Sequence, residues 1–171
     1  MSRDLSVGAA GRGKYPKTVV AGPYGHPFHP VLVTVPIGSW VASVVFDVVA
    51  LAGDDSAFAQ GAYWLILIGL AGAVMAGAVG LLDLLNIPRG TPAFRTGVTH
   101  MCLNLTAIVL FVVGLFVRAA NDIEETTVVG FILSLVALSI LGASGWLGGK
   151  LAYHYGVRVA TEETQQEGFK P

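Results

Sequence analysis

The chain is predicted to be an all-α integral membrane protein: a four-helix bundle with short loops and both termini cytoplasmic. Three observations lead there. Four apolar runs are each long enough to cross a bilayer, the charged residues are confined to their ends and linkers, and nearly all the basic ones fall on one side. Of 171 residues only 12% are charged and 54% are hydrophobic, with a mean hydropathy of +0.69. A soluble domain carries about 25% charged residues.

The runs cover residues 31–53, 62–85, 98–117 and 128–152. About 20 residues at 1.5 Å rise span a hydrocarbon core of roughly 30 Å. The polar linkers are Asp54-Asp55-Ser56, then Asn86 to Pro92, then Asn121 to Glu125. Residues 1–22 form a polar N-terminal arm, 23–159 the membrane domain, and 160–171 a polar tail expected to be disordered. The first run starts too far in, and is too long, for a cleavable signal, whose apolar region is roughly 7–15 residues.

Parity of four crossings puts Arg3, Arg12, Lys14, Lys17, Arg89, Arg95, Lys150, Arg158 and Lys170 on one side, against Arg118 alone on the other. Asp54, Asp55, Asp122, Glu124 and Glu125 gather with Arg118. Basic loops stay cytoplasmic, so the termini are expected there, in the inner membrane. A net charge of −1 gives no basic patch for nucleic acid. The single cysteine, Cys102, excludes an intramolecular disulfide and is expected as a packed thiol.

Small residues recur every four positions in the second run (Gly69, Ala73, Gly77 and Gly72, Ala76, Gly80), in the fourth (Ser144/Gly148, Gly145/Gly149) and in the first (Gly38/Ala42). Such stripes let helix backbones approach closely in lipid, within one chain or between copies. The second helix, small on two faces, is expected at the centre.

The same parity brings all four histidines to the cytoplasmic end. His26 and His29 each precede a proline, which biases them toward polyproline geometry. Residues three apart then project from one side. Pro30 suits a first helical turn. This reads as a stiff arm presenting two imidazoles, or as a helix cap among lipid headgroups. His100 lies one turn inside the third helix, with Asn104 one turn further on the same face. Asp83 shares its depth, and a carboxylate there orients an imidazole or ties helices, bonding to His100 or Arg95. His154 follows the fourth run among Trp146, Tyr153 and Tyr155, as an interfacial residue does. Asp47 and Arg118 share a depth near the far face and read as a structural ion pair.

Gly25-His26-Pro27-Phe28-His29-Pro30, Val35-Pro36-Ile37-Gly38 and Phe46-Asp47 resemble the start of a bacterial membrane family known as domain of unknown function 2231. The likeness continues through Gly80-Leu81-Leu82-Asp83, Arg95 to His100, Asn104, Arg118, Gly145 to Gly149 and Tyr155-Gly156-Val157, and covers about residues 23–159. It implies a four-helix membrane domain without an assigned activity. Some members are joined to iron–sulfur or other electron-transfer domains, which implies redox work. Arg158 departs from the pattern, at a position more often glycine, and the chain has no cysteine pattern for its own cluster.

Three functions are consistent with these residues. One is a redox-associated protein holding haem b or a transition metal, with His100 and His154 as favoured ligands and His26 and His29 as a second pair or lid. In a metal site all four histidines bind, with Asp83, Asn104 and Arg95 supporting them. Its partners are electron-transfer proteins. The alternative is a cofactor-free structural or accessory subunit whose histidines form a polar cap for a partner. The third, a proton or small-molecule pathway, lacks the paired broken helices of a transporter. No H-E-x-x-H motif and no nucleophile–base pair point to a hydrolase.

Overall fold

A computed structural model describes residues 8, 11, 13–14, 18–22, 26–53 and 55–169. Arg3, Arg12, Lys17, Gly25, Asp54, Lys170 and Pro171 lie outside the described residues. Four helices are long and apolar enough to span a membrane: α1 (His29–Gly53), α2 (Ser56–Asn86), α3 (Pro92–Asn121) and α4 (Val128–Gly149). A π-helical turn, Lys150–His154, prolongs α4. A short helix α5, Glu162–Glu167, follows. No strand occurs among the described residues.

Local chemistry sets the boundaries. Asp55, Thr91 and Thr127 are N-caps whose side chains accept from the amides of Ala57, Phe94 and Gly130, satisfying donors that the first turn leaves free. Pro92 opens α3, where a missing N–H costs nothing. Pro30 stands in the first turn of α1, and His29, rather than lying in a polyproline arm, is already helical. Its ring docks on α2, and that contact outweighs the bias of a residue before proline.

α1 pairs with α2, and α3 with α4, as two antiparallel hairpins. The hairpins meet along α2–α3 and α1–α4, so α1 and α3 are diagonal across the bundle. Their large side chains fill its centre. Trp40 and Phe111 stack with ring centroids 4.1 Å apart and planes 16° apart. Both are 1% exposed, among Ile66, Ala73 and Ala137. The indole N–H donates to the Ile66 carbonyl at 3.3 Å. A Cβ at Gly69 would stand 2.2 Å from that nitrogen, so only glycine seats the indole.

The hairpins repeat one another. Asp47 and Arg118 are 71 residues apart, and Trp40/Phe111 and His29/His100 meet at the same separation. Pro36, Trp40, Ser43 and Asp47 are buried in α1, and Ala107, Phe111, Gly114 and Arg118 at the equivalent positions of α3. In the second helices the offset is 68: Ala62, Ile66, Gly69 and Ala76 are buried in α2, and Gly130, Ser134, Ala137 and Ser144 in α4. Equivalent residues facing each other across a diagonal define an approximate two-fold axis along the bundle, the parallel kind of internal repeat.

Candidate functional site: two polar clusters on one axis

At the histidine end each hairpin carries the same tie. His29 Nδ1 lies 2.9 Å from the Ala76 carbonyl oxygen, and His100 Nδ1 lies 2.8 Å from that of Ser144. A carbonyl only accepts, so both rings are protonated at Nδ1. One turn beyond each carbonyl stands a glycine. A Cβ at Gly80 would meet His29 Cε1 at 2.9 Å, and one at Gly148 would meet His100 Cε1 at 3.2 Å. Small residues of the stripes thus admit the imidazoles. The two rings face edge to plane, with centroids 6.3 Å apart.

His100 is the more firmly held. The Ser144 hydroxyl is 2.9 Å from Nδ1 and donates to the His100 carbonyl at 3.1 Å, so the two helices lock reciprocally. Asn104 Nδ2 donates to the same carbonyl at 3.0 Å and stands 3.1 Å from Nε2. Since a carbonyl needs a donor, the amide nitrogen must face it, and Nε2 accepts the second proton. His29 has Val33 and Ala76 where His100 has Asn104 and Ser144.

Asp83, at 9% exposure, meets neither His100 nor Arg95. Its Oδ1 lies 3.1 Å from Nε of Arg158. The alignment is too poor for a hydrogen bond, so the contact is ionic. Arg158 Nη2 also donates to the Ala21 carbonyl at 2.8 Å, and its own amide to Gly13 at 2.9 Å. This clasp holds the segments flanking the bundle over the end of α2. Arg158 has φ +61°, a left-handed backbone that favours glycine. Gly90, its equivalent at an offset of 68, has φ +82°. Position 158 is therefore an arginine on a backbone that favours glycine, and sequence reasoning missed it as the partner of Asp83. Arg95 is exposed.

His26 is exposed before α1. His154 is also exposed; its ring packs on Tyr155 with centroids 4.8 Å apart, and it lines an open groove with Trp146 and Lys150. The structure therefore brings His29 and His100 together and leaves His26 and His154 outside. Among the described residues no group of three or more His, Cys, Asp or Glu side chains is placed to hold a metal ion. The expected four-histidine set is not assembled: the π-helical turn carries His154 to the outer surface, and His26 stops short of the bundle. Cys102 is exposed rather than packed.

Near the other end Asp47 Oδ2 pairs with Arg118 Nη2, the two side chains 0% and 2% exposed. Arg118 also donates to Ser134 Oγ at 3.2 Å and to the Gly114 carbonyl at 3.4 Å, and Ser134 donates to the Gly130 carbonyl at 3.1 Å. One buried centre thus joins α1, α3 and α4. Asp47 Oδ1 and Arg118 Nε have no hydrogen-bond partner among the described residues. It lies 18 residues along α1 from His29, roughly 27 Å at helical rise.

Four membrane-length helices, arranged as two repeated hairpins around paired buried polar residues, define a polytopic membrane protein. The family described as "Predicted membrane protein (DUF2231)" matches residues 25–161. The chain belongs to that family. No curated protein and no solved structure matches it.

Proposed function

We propose that this chain is an accessory subunit of a bacterial inner membrane, needing no cofactor, whose histidine end faces the cytoplasm and serves as a polar cap for a partner. The distribution of basic residues supports the orientation. One observation carries the reading: the polar groups at that end are mostly engaged within the chain. Both Nδ1 atoms go to backbone carbonyls, Nε2 of His100 to Asn104, and Asp83 to Arg158.

A second reading, haem or a transition metal in a redox-associated protein, is favoured by His29. Its Nδ1–H is anchored on a carbonyl, as in metal-ligating histidines, which leaves Nε2 as the donor. His100 would join only by releasing Asn104, and further ligands would come from a partner or a second copy. Such a group would supply electron-transfer chemistry; the chain would fix the ring and its tautomer.

Absorption spectra of the purified protein, oxidised and dithionite-reduced, with elemental analysis of the same sample, separate the two. The accessory reading expects a colourless, metal-free, folded protein. A Soret band or a stoichiometric metal that disappears in His29→Ala would overturn it.

A further inference from the structure

The repeat supplies an internal control for the second hairpin. Residues needed only to pack a hairpin recur in both copies; residues in one copy alone answer to something else. The groove at the end of α4, about 750 Å³, is lined by Gly145, Trp146, Gly149, Lys150, Tyr153 and His154. At the offset of 68 the first hairpin has Gly77, Ala78, Leu81, Leu82, Leu85 and Asn86. The glycine at the base is shared, whereas the cation, the imidazole and both aromatic rings belong to the second hairpin alone. So does the π-helical turn, because α2 runs to Asn86 as a regular α-helix. Extra π turns of this kind are frequent at functional sites.

The position and charge of the groove narrow its occupant. Lys150 is 22 residues beyond Val128, about 33 Å along the helix, where a hydrocarbon core of roughly 30 Å gives way to headgroups. No carboxylate lies within ion-pair distance of Lys150 among the described residues. Its ammonium instead rests 5.6 Å from the centroid of the Tyr155 ring, which steadies it without neutralising it. Trp146 is 79% and Tyr153 92% exposed, as interfacial anchors are. A cation, an imidazole and two flat rings at headgroup depth complement a phosphate with a glycerol and acyl chains beneath it.

We infer that this groove is a binding site for the phosphate headgroup of an anionic phospholipid. Lys150 pairs with the phosphate and His154 donates a hydrogen bond to it. Trp146 and Tyr153 flank the glycerol and upper acyl chains, and Gly145 and Gly149 leave room for a chain to lie against the helix. The proposal is independent of any cofactor and of the His29–His100 pair.

The test is native mass spectrometry of the full chain from nanodiscs of phosphatidylglycerol or phosphatidylcholine, comparing wild type with Lys150→Leu/His154→Asn. These substitutions give the second hairpin the residues of the first. Wild type should retain phosphatidylglycerol in preference to phosphatidylcholine, and the variant should lose roughly fivefold of that preference, with its helical circular dichroism unchanged. Equal retention of the two lipids by wild type overturns the proposal whether or not the variant folds. So does an undiminished preference in a folded variant. Displacement of the lipid by millimolar inorganic phosphate would make the groove a site for the free anion and would also overturn it.

Discussion

The two polar clusters on the bundle axis join the hairpins in different ways. At the Asp47 end a buried ion pair crosses the diagonal, and Ser134 brings in a third helix. At the histidine end each imidazole is spent inside its own hairpin, His29 on α2 and His100 on α4. Only a ring edge spans the gap between them. On the axis itself one end is thus welded across the repeat and the other merely abuts, and the Asp83–Arg158 clasp joins the hairpins only at the rim of that second end. Equivalent positions make this possible because position alone does not fix the chemistry: opposite charges on the axis attract, whereas two imidazole rings pack edge to plane.

The largest expected effect follows from the weld. Asp47→Ala leaves a guanidinium buried without its counter-charge, and Arg118→Ala leaves a carboxylate. Each should cost about 3–5 kcal/mol in a detergent or denaturant unfolding titration. Asp47→Leu/Arg118→Met removes both charges and should recover much of that loss, because neither ion then needs solvation. If the double variant loses the sum of the single losses, the pair is not coupled and the contrast between the ends fails.

A smaller effect separates the two histidines. His100→Ala breaks contacts to Ser144 and frees Asn104, whereas His29→Ala breaks one bond to Ala76. Hydrogen bonds between membrane helices are worth on average about 0.6 kcal/mol each, so His100→Ala should be the more destabilising by roughly 1 kcal/mol in the same titration. Equal losses would mean that the Asn104 and Ser144 contacts add nothing. Nitrogen chemical shifts that put the proton on Nε2 of either ring would remove the tie itself.

What the sequence made legible was whatever depends on period and parity. Four spans, the common end of the histidines and the shared depth of Asp47 and Arg118 all follow from counting at 1.5 Å per residue. The repeat is harder to read, because the residues that meet on its axis differ in type: Trp40 faces Phe111, and Asp47 faces Arg118. Only His29/His100 is an identical pair among those three. Counting also fixes depth but not azimuth, which is why His154 reads as a neighbour of His100 although a π-helical turn swings it to the outer surface. The partner of Asp83 was hidden for another reason: Arg158 lies beyond the helix, and a left-handed turn, invisible to helical spacing, aims it back.

That turn carries the smallest and most specific prediction. Position 158 holds two opposing contributions, an ion pair to Asp83 and a strained backbone at φ +61°. Arg158→Ala removes the pair and keeps the strain. Arg158→Gly removes the pair and relieves the strain, as Gly90 does at the equivalent turn of the first hairpin. Glycine should therefore leave the protein more stable than alanine by about 1 kcal/mol, the reverse of their order in an ordinary helix. Adding Asp83→Asn should narrow the gap between wild type and Arg158→Gly, because the unpaired carboxylate is then gone. If alanine proves equal to or better than glycine, the left-handed turn is not held in the folded protein. Arg158 would then act through charge alone.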